Sequence, residues 1–489
     1  MIDHVTIPPA VIALLDSMQW MFFAYFICIN LAYLALTYVS VFAIIRYMRE
    51  HGVQYLPKNF TAYQPPVSIL VPACNEERTI VSSIRSLLRL GYPDFEIVVI
   101  NDGSTDKTLE EVIKAFGLVE FPEAYRKRLK TADVHKIYAS AQYPKVRLID
   151  KVNGGKADAL NAGINCARYP LFCVVDADCI LQQDSLARVV QPFLEDKQTV
   201  AAGGVIRLVN GCTVKDGFLT GVDLPRKLLP TMQIVEYLRA FLFGRLGWSP
   251  MNALLIISGA FGVFYKERVI AVGGYRNDTV GEDMDLVVRL HRQLRSERKG
   301  YRITFVPDPI CWTEAPEDLG SLKNQRMRWQ QGLAESLLPN WRMMFQRNGG
   351  AVGWLAFPFM LLFECIGPLI EVLGYVSVLV MWFAGLLSVD ALLVFLFAAV
   401  GLGVLLSVNA LFLEELSFHL YPRPMQQLRL FMAAILENFG YRQLNSVWRL
   451  MGMVRWVVRL RGRSRWGRIR RHATWQHEGD LQPQEASAG

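Results

Sequence analysis

The chain has 489 residues, of which 52% are hydrophobic and 20% are charged. It is more apolar than an ordinary soluble enzyme, yet 44 acidic and 52 basic residues exclude a protein made of membrane segments alone. The net charge of +8 equals the charge of the eight arginines in residues 455–471, so we predict no nucleic-acid partner and instead a local contact with anionic lipid.

The first predicted element is a membrane helix over residues 20–45, within an N-terminal segment of residues 1–50. The run is longer than the roughly 20 residues that cross a bilayer, and far longer than a signal-peptide core. Arg46 and Arg49 follow it, so the positive-inside rule places the next part of the chain in the cytoplasm. We therefore expect a multi-pass protein of the cell inner (plasma) membrane with a cytoplasmic domain.

Residues 64–318 are predicted to form that cytoplasmic domain, an α/β domain with a mainly parallel sheet. Short apolar runs at 67–73, 95–102, 146–150 and 171–178 alternate with helical patterns. Ligands of such sheets bind at the carboxyl ends of the strands. Polar residues follow these runs, which predicts the site at that edge.

Two aspartates, Asp176 and Asp178, stand at the end of the last of these runs. Carboxylates on alternate positions of an extended segment point to opposite faces, and a turn lets one of them reach a metal. A small number of oxygen ligands suits Mg²⁺ or Mn²⁺ shared with substrate phosphates. A solvated turn with Asx hydrogen bonds is an equally good interpretation of this pair alone.

Two loops at strand ends carry further candidates. Asp102 lies in the loop NDGSTDKT, which favours either a helix cap or a contact with a nucleotide. Lys156 follows two glycines at a predicted helix N-terminus, where a cation and close backbone approach suit a phosphate. An ordinary turn explains the second loop equally well.

Three acids, Glu282, Asp283 and Asp285, crowd the predicted first turn of a helix. The helix dipole favours carboxylates there, which explains two of them without any function. A buried third acid needs another reason, and a general base at the mouth of a site is one.

A predicted amphipathic segment, residues 319–352, carries Gln325, Arg328 and Trp329 on one helical face. The guanidinium could bind a diphosphate with two hydrogen bonds, and the indole offers a flat surface for a sugar ring. An interfacial helix without a ligand is the alternative.

Residues 353–460 are predicted to form transmembrane and interfacial helices, with two to four crossings, and residues 461–489 a basic cytoplasmic tail. Glu364 and Glu371 are costly in lipid. They favour either a polar sugar channel or pairing with an arginine such as Arg429.

The order of these motifs resembles membrane-embedded, processive family 2 glycosyltransferases, a group that includes cellulose, chitin, hyaluronan and poly-N-acetylglucosamine synthases. A DG loop, DxD, ED at a helix start and QxxRW ahead of membrane spans occur in that order over residues of about 64 to 345. The resemblance implies a GT-A nucleotide-diphosphosugar domain flanked by transmembrane α-helices. The ED followed by MDLVVRL is most similar to the N-acetylglucosamine-polymerising branch.

The resemblance also implies roles for the strand-end residues. It places Asp102 at the nucleotide base, Lys156 in the nucleotide-sugar loop and Asp176 at the nucleotide or donor. Asp178 is implied to bind the divalent metal, Mg²⁺ or Mn²⁺. Asp283 is implied to be the general base.

The remaining implied roles concern the acceptor. Gln325, Arg328 and Trp329 would close over the donor diphosphate and the acceptor end. Ser258 and Gly259 would line the acceptor path together with Trp329, although a tight β-turn explains these two residues as well.

The function that the resemblance implies is inverting, processive transfer from a UDP-sugar to a growing β-linked polysaccharide, with export across the inner membrane. The alternatives are a non-processive transfer to a lipid carrier and a catalytically silent receptor with the same fold. The implied partners are the UDP-sugar donor, the polysaccharide acceptor and the lipid bilayer. Accessory secretion or modification subunits are further possible partners.

Overall fold

The computed structural model describes residues 9–51, 64–215, 217–298 and 300–458. Its α-helices are α1 (Pro9–His51), α2 (Ile80–Leu88), α3 (Thr108–Phe116), α4 (Lys156–Cys166), α5 (Ser185–Glu195), α6 (Leu228–Leu238), α7 (Lys266–Ala271), α8 (Glu282–Ser296), α9 (Leu319–Leu337), α10 (Phe357–Phe359), α11 (Gly367–Phe383), α12 (Val389–Leu396), α13 (Leu402–Ser417), α14 (Pro424–Leu436) and α15 (Arg442–Val458). Its π-helical segments are Arg239–Arg245, Val352–Ala356, Met360–Cys365, Phe397–Gly401 and Glu437–Tyr441, and a 3₁₀ helix covers Leu338–Met343. The predicted basic tail, residues 461–489, lies outside the described residues.

The strands form a large central sheet and a small hairpin. They are β1 (Val67–Ala73), β2 (Phe95–Asp102), β3 (Val119–Glu120), β4 (Val134–Ala139), β5 (Val146–Lys151), β6 (Leu171–Val175), β7 (Ile180–Leu181), β8 (Thr199–Leu208), β9 (Thr213–Lys215), β10 (Phe218–Gly221), β11 (Phe261–Tyr265) and β12 (Arg302–Thr313). The central sheet has the order β3-β4-β5-β2-β1-β6-β11-β8-β12-β7. Neighbours among β5, β2, β1 and β6 are parallel, as are β8 and β12.

The α/β class and the parallel central strands are therefore confirmed, and β11 adds a feature that the sequence did not predict. It runs antiparallel between β6 and β8 and joins the two parallel parts. Because β6 ends at Val175, Asp176 and Asp178 lie in the turn beyond it and not in the strand. The predicted domain boundaries stay predictions.

Close packing of α4 on the sheet brings the start of this helix to the strand ends. A Cβ at Gly163 would lie 3.0 Å from Ile100 of β2 and 3.2 Å from Leu70 of β1, so no larger side chain fits without a shift. The helix runs back from the carboxyl edge of the parallel strands. Its first residue, Lys156, consequently lies where ligands of such sheets bind.

Two described helical stretches are long and apolar enough to cross a membrane, Asp16–Glu50 and Val389–Ser417. A third candidate consists of Val352–Cys365 and Gly367–Phe383, which meet at an angle of 42°. The region at 428–458 is divided between α14 and α15 by a break at Gly440, which has a φ of +98°.

Helix α9 lies between the catalytic-domain helix α8 and the membrane-side helix α15. A Cβ at Gly332 would lie 2.8 Å from the Cα of Gly281. On the other side, a Cβ at Gly452 would lie 2.5 Å from the carbonyl oxygen of Met327. Both contacts involve backbone atoms, so the three helices are as close as glycine permits.

Replacing Gly452 with Ala is expected to destabilise the protein by about 1–3 kcal/mol, because the new methyl group overlaps the α9 backbone and forces α15 away. Gly244→Ala is the matched control, since a Cβ there meets no heavy atom within 4 Å. Thermal unfolding in detergent measures both variants. Equal melting temperatures for the two variants would contradict the close contact.

Candidate active site

Four of the predicted site residues meet in one cluster at the carboxyl edge of the sheet. The ammonium of Lys156 forms an ion pair with Asp176 and donates a hydrogen bond to the carbonyl oxygen of Gly259 over 3.2 Å. The N–H of Gly259 donates to Oδ2 of Asp283 over 3.1 Å. Gly259 therefore bridges the predicted phosphate-binding lysine and the predicted base.

The elements that hold this cluster are far apart in the chain. Lys156 begins α4, Asp176 follows β6, Gly259 lies in the turn before β11 and Asp283 is in the first turn of α8. Gly259 packs between two of them: a Cβ there would lie 3.4 Å from the Lys156 Nζ and 3.5 Å from Oδ2 of Asp283. A side chain longer than alanine would fill the space between the cation and the carboxylate.

The charges of the cluster depend on one another. Burial alone would lower the pKa of Lys156, but the nearby carboxylates of Asp176, Glu282 and Asp283 outweigh burial and raise that pKa. Lysine is therefore firmly protonated and available to a phosphate. Asp283 also accepts a hydrogen bond from the N–H of Met284 over 2.8 Å, which fixes the carboxylate at the start of α8.

Asp102 lies at the end of β2 and is buried. Its carboxylate accepts hydrogen bonds from the N–H groups of Gly154 and Gly155, over 2.9 and 2.8 Å, and from the Lys151 ammonium over 2.6 Å. The structure thus gives Asp102 a role in holding the glycine loop before Lys156. Its predicted contact with a nucleotide base stays a prediction.

Asp178 is half-buried in the turn after β6, beside Asp176. The described residues contain no group of three or more His, Cys, Asp or Glu side chains that could hold an ion. Lys156 pairs with Asp176, and the Asp178 carboxylate lies two residues further along in the same turn. One protein carboxylate with substrate phosphates is a usual donor set for Mg²⁺, so these residues fit the predicted Mg²⁺ or Mn²⁺.

The three acids of α8 have different environments. Asp285 is fully buried and bonds to Arg289 over 2.6 Å and to Arg276 over 3.3 Å, which gives it a structural role. Asp283 is half-buried in the cluster. Glu282 is 7% exposed, and burial raises its pKa to about 7, with Asp283 adding to the rise and Lys156 opposing it.

Of the predicted residues of α9, Arg328 lies close to this cluster. Arg328 is near enough to Glu282 to lower the pKa of that acid against the effect of burial. The side-chain oxygen of Gln325 is buried and has no hydrogen-bond partner among the described residues. The Trp329 ring is 45% exposed, and the guanidinium of Arg326 lies 4.3 Å from its centre.

Two residues near the cluster were missed by sequence reasoning. Arg245, in the π-helical segment Arg239–Arg245, lies 3.8 Å over the Phe241 ring, and Asp283 is the strongest attraction on its charge. Burial lowers the pKa of Arg245 to about 10. Tyr237 faces the Trp329 ring at 6.4 Å. Both belong to an apolar run without a motif, so no pattern indicated them.

Comparison with known proteins agrees with this arrangement. A profile of the family described as "Glycosyltransferase like family 2" matches residues 65–332, which include the whole cluster. The chain belongs to this family. Its α/β domain, with the mixed and mostly parallel central sheet, is the GT-A fold that the sequence predicted.

Two curated relatives are named poly-β-1,6-N-acetyl-D-glucosamine synthase. The protein of Staphylococcus aureus (strain COL) is 32% identical over 274 residues, which are 56% of this chain and 55% of that protein. The protein of Staphylococcus epidermidis is 30% identical over 273 residues, with the same coverage. The chain therefore spans about half the length of the curated relatives that it matches.

A solved structure, that of the mannosyltransferase PcManGT from Pyrobaculum calidifontis in complex with GDP-Man and Mn²⁺, has a TM-score of 0.48 to this chain. It is 20% identical, and the superposition covers 85% of this chain and 99% of that one.

The raised pKa of Glu282 predicts a pH effect on stability. The folded chain keeps a proton that the unfolded chain loses above a pKa of 4.5, so this contribution is present below pH 4.5 and is lost as the pH rises through about 7. At about 1.4 kcal/mol per pKa unit, the loss amounts to roughly 3 kcal/mol.

The glutamine side chain of Glu282→Gln is neutral at every pH, so this variant should not show the loss. The wild type should therefore lose free energy of unfolding relative to the variant as the pH rises from 4.5 to 8. Glu110→Gln, on an exposed position of α3, is the control and should follow the wild type. Chemical unfolding across this pH range measures the difference. Parallel curves for wild type and Glu282→Gln would show that Glu282 ionises normally.

Proposed function

We propose that the protein is an inverting glycosyltransferase that adds N-acetylglucosamine from UDP-N-acetylglucosamine to a growing β-linked polysaccharide. The observation that carries this proposal is the cluster at the strand ends, where a fixed carboxylate, Asp283, and a protonated lysine, Lys156, share Gly259. The names of the two staphylococcal relatives support the choice of sugar and a β-1,6 linkage.

In the proposed step, an acceptor hydroxyl oxygen attacks the anomeric carbon of the donor. The Asp283 carboxylate takes the hydroxyl proton, the new C–O bond forms, and the bond from the anomeric carbon to the diphosphate breaks on the opposite face. UDP leaves with the bonding electron pair. An α-linked donor therefore gives a β-linked product.

Negative charge grows on the diphosphate as it leaves, and cations near it lower the barrier. Lys156 is held at the start of α4, and Arg328 lies on the neighbouring face of α9. Asp178 would hold the Mg²⁺ or Mn²⁺ that, when bound, neutralises phosphate charge. We assign Asp102 and Asp176 to donor binding, and Gln325 and Trp329, with Ser258 and Gly259, to the acceptor side.

Processive synthesis and export are part of the same proposal. Apolar helices flank the GT-A domain on both sides in the chain, and α9 packs directly on α15. A polymer that grows beside Trp329 thus starts next to the membrane-side helices. We infer a multi-pass protein of the inner membrane, with the catalytic domain in the cytoplasm and the bilayer as a partner.

Asp283→Asn is expected to lower the rate of UDP release by about 10²–10⁴-fold, since the amide cannot accept the proton. Asp178→Ala should lower the rate to a similar extent and weaken the activation by added Mn²⁺. Both assays use membranes with equal amounts of folded protein. Asp278→Asn is the control, because this aspartate is exposed and pairs with Arg276 near the surface.

Near-normal activity of Asp283→Asn would remove Asp283 as the base. A wild type that releases no UDP from any donor would instead favour a catalytically silent protein.

Donor choice is tested with UDP-N-acetylglucosamine, UDP-glucose, UDP-glucuronic acid and GDP-mannose, each labelled in the sugar. We expect incorporation from UDP-N-acetylglucosamine alone, into long product that a β-1,6-specific N-acetylglucosaminidase degrades. Long chains early in the reaction indicate processivity. A single sugar attached to extractable lipid would replace the proposal with transfer to a lipid carrier.

A further inference from the structure

The bend in the third candidate span leaves two carbonyl groups without helical partners. In a regular helix the carbonyl of Glu364 would accept from the N–H of residue 368, but that residue is Pro368 and has no N–H. The carbonyl of Cys365 would accept from Leu369, whose N–H instead bonds to Ile366 over 2.9 Å. Unpaired carbonyls are costly at membrane depth, so this bend needs donors from elsewhere.

The donors come from two other helices. The side-chain amide of Gln330, on α9, donates to the carbonyls of Cys365 and Glu364 over 2.8 and 3.2 Å. The guanidinium of Arg449, on α15, also donates to the Glu364 carbonyl. The bend is therefore completed by one residue of α9 and one residue of α15.

These two donors also bind each other and the side chain of Glu364. Arg449 donates to the side-chain oxygen of Gln330 over 2.8 Å and to the Glu364 carboxylate over 2.9 Å. The hydroxyl of Tyr33, on α1, donates to the same carboxylate. Glu364 thus pairs with an arginine, which was one of the two predicted alternatives. That arginine is Arg449, whereas Arg429, named as an example, donates to the carbonyl of Pro225.

The same helix that carries Gln330 is fixed to the candidate active site. Gln330 directly follows Trp329, and two residues further Gly332 touches the backbone of Gly281. One turn beyond, Glu335 accepts hydrogen bonds from the N–H of Val280 and the hydroxyl of Thr279, over 2.8 and 2.9 Å. A shift of α9 along its axis would therefore displace the loop that leads into Asp283.

We propose that Arg449 and Gln330 are positioning residues, which hold α9 in register with the bend at Glu364 and thereby place Trp329 and Arg328 for sugar transfer. The bent span, the C-terminal helix and the catalytic centre then move as one unit. The expected effect of Arg449 and Gln330 on turnover rests on the proposed function. Their expected effect on the position of α9 does not.

The test compares Arg449→Lys and Gln330→Leu with Arg207→Lys in the full chain in detergent. Lysine keeps the charge but cannot bind Gln330 and both oxygen types of Glu364 at once. Arg207 is the control, because it is also an arginine paired with a glutamate, Glu414. It joins β8 to α13 and does not contact α9 through this pair.

Hydrogen exchange of peptides from α9 gives a readout independent of activity. We expect exchange over residues 319–337 to become about 5-fold faster or more in Arg449→Lys and Gln330→Leu, and to change less than about 2-fold in the control. Unchanged exchange in both variants would overturn the proposal, whatever the activity.

Kinetics then tests the effect on the reaction. Displacement of about 1 Å can cost up to 10²-fold in rate, so we expect kcat for UDP release to fall by at least about 10-fold with donor KM within about 3-fold. In a Trp329→Ala background, Arg449→Lys should lower kcat by a smaller factor than in the wild type, because only the part of its effect that acts through Arg328 remains.

Three kinetic outcomes would overturn the positioning role. The first is that the losses in kcat multiply in full when Trp329→Ala and Arg449→Lys are combined. The others are a fall in kcat no larger than that of Arg207→Lys, and faster exchange of α9 with a normal kcat. A wild type without any transfer activity refutes the proposed function, and the exchange measurement alone then decides whether Arg449 and Gln330 hold α9.

Discussion

The contact between the backbones of Gly281 and Gly332 is the constraint on which the candidate active site depends. At this point α8 begins, and α9 crosses it so closely that a Cβ on Gly281 would lie 2.7 Å from the Gly332 carbonyl oxygen. The first turn of α8 carries Asp283, and the preceding turns of α9 carry Arg328 and Trp329. The contact therefore fixes the position of α8 relative to α9. The secondary structure of each helix alone could not do so.

This contact also explains why Glu282 is buried. An acid in the first turn of a helix is stabilised by the helix dipole and usually remains in water. Here the approach of α9 removes that water, and the remaining compensation comes from Lys156 and Arg328.

Much of the fold could be predicted because its signals are local. The strands β1 and β2 have the predicted bounds, since short apolar runs followed by polar loops indicate buried parallel strands. The order of the site residues was predicted as well, and Lys156, Asp176, Gly259 and Asp283 do lie together. Their chemical roles remain predictions.

The features that were not predicted depend on contacts between distant segments. The pairing of Glu364 with Arg449 depends on how closely α15 approaches α9 at Gly452, and helical spacing contains no information on that approach. The hydrogen bonds that Asp102 accepts from backbone N–H groups of the glycine loop, fifty residues later, were not predicted, and its contact with a nucleotide stays a prediction. Arg245 lies in an apolar run where only the tertiary fold brings it towards Asp283.

The boundary between the GT-A domain and the apolar helices includes ion pairs of one kind, an arginine with a glutamate, which range from buried to about a quarter exposed. Arg207 pairs with Glu414, Arg239 with Glu437 and Arg449 with Glu364. A buried pair of this type adds little net stability compared with apolar side chains, but losing one partner leaves a buried charge and costs several kcal/mol.

Such pairs therefore favour one arrangement over all others, because sliding one element by a helical turn would separate each charge from its partner. An apolar boundary would tolerate that slide at small cost. In the proposed arrangement, a boundary that permits a single register keeps the distance between the proposed sugar-transfer site beside α9 and the bent candidate span constant.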